Sequence, residues 1–163
     1  MGTQIETKGK VLVATPVVDT SAYSIADQLG SLVELTGAMD ASGDTGEVVS
    51  VAVHDKASQN LTFDILFFSD KPVVTSVDNA ALNISDAEMA AKCLGKVTIA
   101  TADYIALSAS GMATTANVGL KLKSVKSADN LNGNSVWIIC RAAATPTYTS
   151  TTDLVISIGV KQD

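Results

Sequence analysis

The one histidine in the chain, His54, is followed directly by Asp55. A carboxylate beside an imidazole is the pairing that orients a general base, but base catalysis of the Ser-His-Asp type also needs an activated nucleophile and oxyanion donors. Both residues fall at the end of a strand pattern, where neighbouring side chains point to opposite faces, so His54 and Asp55 do not face each other. The two cysteines, Cys93 and Cys140, lie far apart, one in a helical pattern and one in an apolar strand, and read as buried small hydrophobes. One histidine and two distant cysteines do not make a zinc set. The densest acidic stretch, Asp40, Ser42, Asp44 and Glu47, offers oxygens of the kind that hard cations take, yet it lacks the downstream bidentate glutamate of a calcium loop and reads as a solvated connection. Asp78, Asp86, Asp103 and Asp129 are isolated turn or cap residues. No phosphate-cradling or dinucleotide fingerprint is present. The expectation is a protein that is not an enzyme and has no catalytic, cofactor-binding or metal-binding residues.

The elements that would position any such groups are strands. The last of them is the clearest: Leu154, Ile156, Ile158 and Val160 share one face, with Asp153, Ser157 and Lys161 on the other, the period of two of a half-buried antiparallel strand. Similar segments run over 10–15, 29–36, 47–55, 60–69, 96–101, 118–125 and 135–142. The 47–55 and 60–69 segments are joined by the short connection Asp55-Lys56-Ala57-Ser58-Gln59, which predicts a hairpin or near-hairpin. One short helix is specified at about 85–94. Ser85 caps it and Glu88, three residues on, completes a capping box; Ile84 and Met89 form a hydrophobic staple. Glu88 and Lys92 are an i,i+4 pair, and Gly95 supplies the stop. Eight strands with one inserted helix predict an all-β fold, an antiparallel β-sandwich that is jelly-roll-like.

The length of 163 residues predicts one β-sandwich domain, 22–163, preceded by an N-terminal arm and first strand, 1–21. The net charge is −6, and Arg141 is the single arginine. That balance offers no basic stripe for phosphates, so no nucleic-acid partner is expected; Lys121 and Lys123 read as the wet face of a strand. No apolar run approaches the ~20 residues of a membrane span, and the start of the chain has no signal-like apolar core, so no membrane partner is expected and synthesis in a cytoplasm is.

The apolar surplus is the feature that needs explaining. Leu66 and Phe68 lie opposite Phe63 and Phe67; Trp137 and Ile139 lie opposite Val136 and Ile138. A sandwich strand is polar on its outer face, so either the chain's own helix and loops cover these four residues or another subunit does. Leu66, Phe68, Trp137 and Ile139 are therefore the candidate subunit interface.

Several segments together resemble a known family. They are Ser24–Gly30 entering a strand; His54–Phe68; Asp78–Glu88 at the helix entry; and Thr145-Pro146-Thr147-Tyr148 with the terminal strand. This pattern, from about Ala22 to Asp163, is similar to that of small tailed-bacteriophage virion structural proteins, most like capsid decoration (cement) proteins. The resemblance implies a virion component on the capsid surface that self-associates, with the major capsid protein as partner and no active-site residues. A trimer suits the local three-fold positions of a shell. Residues 1–21 lie outside the resemblance; the polar start and the break at Pro16 make Gln4, Ile5, Lys8 and Lys10 the candidate capsid-binding arm. Two further readings use the same sandwich: a phage baseplate, collar or fibre-associated protein, and a carbohydrate-binding module with Tyr23, Tyr104, Tyr148 or Trp137 as a sugar platform.

Overall fold

The structure is a computed structural model and describes residues 8–163. Its strands, in chain order, are β1 (Lys8–Ala14), β2 (Gln28–Leu35), β3 (Thr45–Asp55), β4 (Phe63–Phe68), β5 (Cys93–Ile99), β6 (Tyr104–Ala106), β7 (Gly111–Lys123), β8 (Val136–Ala142) and β9 (Leu154–Gln162). The helix α1 (Asp86–Lys92) lies between β4 and β5. One sheet has the order β1-β9-β3-β7-β6 and the other β2-β8-β4-β5, every pair antiparallel. With the three-residue β6 set aside, the first long strand pairs with the last (β1 with β9), the second with the second last (β2 with β8), then β3 with β7 and β4 with β5. That nesting is a long antiparallel hairpin rolled up until its arms fall alternately into two sheets. It is the jelly roll, so the expected fold class is the observed one.

The alternation read from the sequence builds the core. Leu154, Ile156, Ile158 and Val160 of β9 face Val51 and Val53 of β3 on one side. Phe63, Ile65, Phe67, Val136, Ile138 and Cys140 close from the other sheet, all of them buried. Each such side chain contributes about 1.5–3 kcal/mol by leaving water, and aliphatic residues together with Phe63, Phe67, Tyr23 and Tyr148 fill the core.

Several local expectations are corrected. The predicted hairpin between β3 and β4 does not form: β3 pairs with β7 and β9, whereas β4 pairs with β5 and β8 in the opposite sheet. Asp55 is the reason. Its buried carboxylate accepts the backbone N–H groups of Ala57 (3.0 Å) and Asn60 (2.7 Å), while Ser58 and Asn60 take positive φ angles. This knot turns the chain across the sandwich instead of back along its own sheet. Burial pushes the Asp55 carboxyl up despite those hydrogen bonds.

The capping box is half formed. Ser85 Oγ accepts the Glu88 N–H, but the Glu88 carboxylate accepts the N–H of Val73 (2.9 Å) and pairs with Lys92 (2.9 Å). Glu88 thus ties the helix to a preceding loop. Gly95 does not end the helix, which stops at Lys92; Gly95 has φ 138° and sits inside β5, where the register with β4 shifts between Phe67 and Phe68.

The sequence does not mark β6, which is only three residues long, or the first half of β7, because Gly111–Asn117 is mostly small residues without alternation of hydrophobicity. The first half of β7 becomes strand by pairing with β3, and β6 by pairing with β7. Gly30, at φ 79°, is required where β2 passes the chain leaving β1: a Cβ there would lie 2.7 Å from Pro16 Cβ.

Candidate interaction surfaces

The segment 69–92, between β4 and β5, decides the fate of the outer face of the four-stranded sheet. Phe68, Trp137 and Ile139 form a second buried cluster, with Leu32, Leu66, Val74, Leu82, Ile84, Met89 and Cys93 packed against it. Trp137 is 3% exposed, and Phe68 and Ile139 are fully buried. Of the two alternatives for the apolar surplus, this structure takes cover by the chain itself. Leu66, Phe68, Trp137 and Ile139 are corrected from a candidate subunit interface to the floor of an intrachain strap. Ile84 and Met89, expected as a staple, both rest on this floor.

The strap is pinned by polar contacts. Asp78 Oδ1 accepts the Tyr23 hydroxyl (2.7 Å) and the Gly30 N–H (2.7 Å). Gln28 accepts from Ser76 Oγ (2.8 Å), and isolated bridges join Asp27 to Ala81 and Val74 to Ile84. Between the strap and the 126–130 loop lies a shallow cleft of about 470 Å³ lined by Leu32, Pro72, Val73, Lys71 and Lys92 among others. Both lysines are already engaged, Lys71 with Asp129 (3.3 Å) and Lys92 with Glu88 (2.9 Å).

Beyond the strap, the same sheet carries an ionic cluster. Asp64 accepts from Lys96 (2.7 Å) and Thr98 (2.6 Å), with Arg141 at 3.5 Å. Burial raises the Asp64 carboxyl, but the hydrogen bonds of Lys96 and Thr98 and the charges of Lys96 and Arg141 outweigh it and hold the group below the usual carboxylate range. A carboxylate with a depressed folded-state pKa stabilises the fold above its unfolded value, near pH 4, and that contribution fades as pH falls through the folded value. Asp64→Asn should therefore be less stable than the parent at pH 6, with the gap narrowing below about pH 4. Thermal melts of both proteins at pH 6 and pH 3 check this, and an equal gap at both would dismiss the ionic account.

The outer face of the five-stranded sheet is different in kind. Pairing aligns Val13, Ser157, Ala52 and Thr114 in one row, and Val11, Gly159, Ser50 and Ala116 in the next. A third row holds Val155, His54, Met112 and Ile105. None of these residues is an aspartate, glutamate, lysine or arginine. Val11, Val13, Ile105 and Met112 are exposed. Charges gather at one end only, where Glu47 lies between Lys161 and Lys121 and bonds to Lys121. An antiparallel sheet with one face in water normally alternates apolar and polar residues, so an uncharged outer face is the unusual surface of this molecule. The sequence hinted at it only through Ser157 and Gly159, since rows form across strands that are far apart in the chain.

The remaining candidates are placed as follows. Gln4 and Ile5 lie outside the described residues. Lys8 and Lys10 do not sit on a free arm: β1 pairs along its whole length with β9. Lys8 Nζ binds Asp40 (3.0 Å) and Lys10 Nζ donates to the Gly37 carbonyl (2.9 Å). The sugar platform is not assembled. Tyr23, Tyr148 and Trp137 are buried, and the two tyrosine rings meet edge to face at 6.1 Å. His54 and Asp55 point to opposite faces as expected, His54 half-exposed and Asp55 buried. The carboxylates of the 40–47 loop are spent singly: Asp40 on Lys8, Asp44 on the Ala41 N–H and Glu47 on Lys121. Among the described residues no three His, Cys, Asp or Glu side chains come together as a metal-ligating group.

No family model matches the chain, and no curated protein matches it. Among solved structures, the chain is similar to one from Desmodium yellow mottle tymovirus, at 8% identity over 99% of this chain and 84% of that one, TM-score 0.28. It is also similar to a chain of the heated full particle of Israeli acute paralysis virus (12% identity, 96% and 67% covered, TM-score 0.32). A chain of the native virion of Kashmir bee virus is a third (13%, 96% and 68%, TM-score 0.29). The jelly-roll assignment rests on the strand order above.

Proposed function

We propose that this protein is a non-enzymatic structural component of a virus particle, a decoration (cement) protein of a tailed-phage head that self-associates and stabilises the shell. The observation that carries the reading is the asymmetry of the sandwich. One outer face is sealed by the chain's own strap, and the other is open and uncharged over three rows of side chains. A surface of that kind is suited to being covered by another protein. The resemblance of residues 22–163 to phage virion proteins supplies the setting. The major capsid protein is the proposed partner, the outside of the capsid the proposed location after synthesis in the host cytoplasm, and a trimer at local three-fold positions the proposed copy arrangement.

Mass spectrometry and immunogold labelling of purified particles test the proposal. The expected result is the chain at a copy number comparable to the shell protein, with label on heads. Label confined to tails would replace it with a baseplate, collar or fibre role, and absence from the particle would overturn the virion reading. Light scattering of the protein released from shells is expected to show a species of three times the 16.7 kDa chain mass or a multiple of it.

A further inference from the structure

We infer that β1 is a self-pairing edge, through which two copies join their five-stranded sheets across a two-fold axis. β1 ends its sheet, with β9 on one side and, among the described residues, no strand on the other. It is open along its length: Lys8, Gly9, Lys10, Val11 and Val13 are all exposed, Val11 at 68% and Val13 at 64%. An edge strand presents unpaired N–H and C=O groups, and proteins that must stay apart block such edges with charges, prolines or bulges. This edge lacks a bulge, since its register with β9 is unbroken from Lys8 to Ala14. Its two lysines are drawn toward the loop after β2, onto Asp40 and the Gly37 carbonyl. Its proline, Pro16, lies beyond the strand's end, where it limits pairing without interrupting it.

The occupant that fits this edge is a second β1. A seven-residue strand that pairs antiparallel with itself along its full length has its centre at Val11. Val11 then meets Val11 of the other copy, Gly9 meets Val13, Lys10 meets Leu12, and Lys8 meets Ala14. No like charges stand opposite one another, and the valine bulk at position 13 falls against glycine. On the outer face the row through Val11 becomes continuous across both copies, while each Val13 row runs into the other copy's Gly9 row, which leads to Lys161, Glu47 and Lys121. An isologous contact of this sort uses the same patch twice and closes at two copies. It is separate from the three-fold arrangement proposed above and does not rest on the virion reading.

The test is light scattering of the full chain over a concentration series, with Val11→Lys and Val11→Glu. Val11 is exposed, so both variants should fold, with unchanged circular dichroism and melting within a few degrees of the parent. The parent is expected to show an even-copy species, a dimer or, where three-fold contacts also hold, a hexamer. Each variant alone places two like charges at the two-fold centre and should lower the fraction in that species at least tenfold. An equimolar mixture should restore it, because lysine then faces glutamate. A parent without an even-copy species, a variant that keeps it, or a mixture that stays dissociated overturns the proposal. A trimer alone would leave the decoration reading standing and remove this contact.

Discussion

Replacing Trp137 with alanine lowers the unfolding free energy by about 3–5 kcal/mol, the usual cost of truncating a fully packed tryptophan. The side chain lies between Phe68 and Ile139 beneath the strap, and Leu82, Ile84 and Met89 pack against the same cluster. The cavity would open under a strap whose helix has no fully buried residue of its own, and a helix of seven residues persists only by leaning on something. A loss of that size is a large part of the 5–15 kcal/mol that holds a typical domain, and should lower the melting temperature by roughly 6–20 °C at 2–4 °C per kcal/mol. Urea unfolding of parent and variant is the measurement, with the midpoint falling and the slope unchanged. Were Trp137 instead an intersubunit anchor, the variant would dissociate while each monomer kept its stability; that outcome would return Leu66, Phe68, Trp137 and Ile139 to an interface. Because Trp137 is the only tryptophan, its emission gives an independent check. It should be blue-shifted in the parent and move to the red when Ile84 is cut to alanine.

The second large effect is expected at Asp78. One carboxylate oxygen accepts both the Tyr23 hydroxyl and the Gly30 N–H, each at 2.7 Å. Tyr23 is buried and also accepts the Asp19 N–H at 2.6 Å. Its phenol is pushed above its ordinary range by burial and by the Asp78 acceptor, so it stays protonated and remains a donor. Asp78→Ala leaves that buried hydroxyl without an acceptor and frees the tip of the strap. Hydrogen bonds to a charged group contribute about 1.5–3 kcal/mol each, and because the two share one oxygen we expect a loss of about 2–4 kcal/mol, read by the same urea experiment. Asp78→Asn keeps an acceptor of the same shape and should recover about half. If alanine and asparagine are equally damaging, the negative charge is what matters; if both are silent, the strap is held by its apolar floor alone.

These two residues also mark where the sequence was informative. The alternation at positions 63–68 and 136–142 correctly sorted every side chain into an inner and an outer set, because a strand's period of two is a local property of the backbone. What lay on top of the outer set was not local. The strap that covers Trp137 carries Asp78, read from the sequence as an isolated turn residue; only the fold brings it to Tyr23, 55 positions away.

By itself, the sequence determined the strand-rich class, the core faces of β4, β8 and β9, and the helix cap at Ser85. Each follows from residue type and near-neighbour spacing. The tertiary structure alone decided which strands share a sheet, and therefore three further things. It turned the expected β3–β4 hairpin into a crossing between sheets, it placed the apolar surplus under the chain's own strap, and it gathered the small residues of β3, β7 and β9 into one uncharged face beside the open edge of β1. Sheet partners are chosen by how well whole faces bury against each other, and a face is assembled from residues that the sequence keeps far apart.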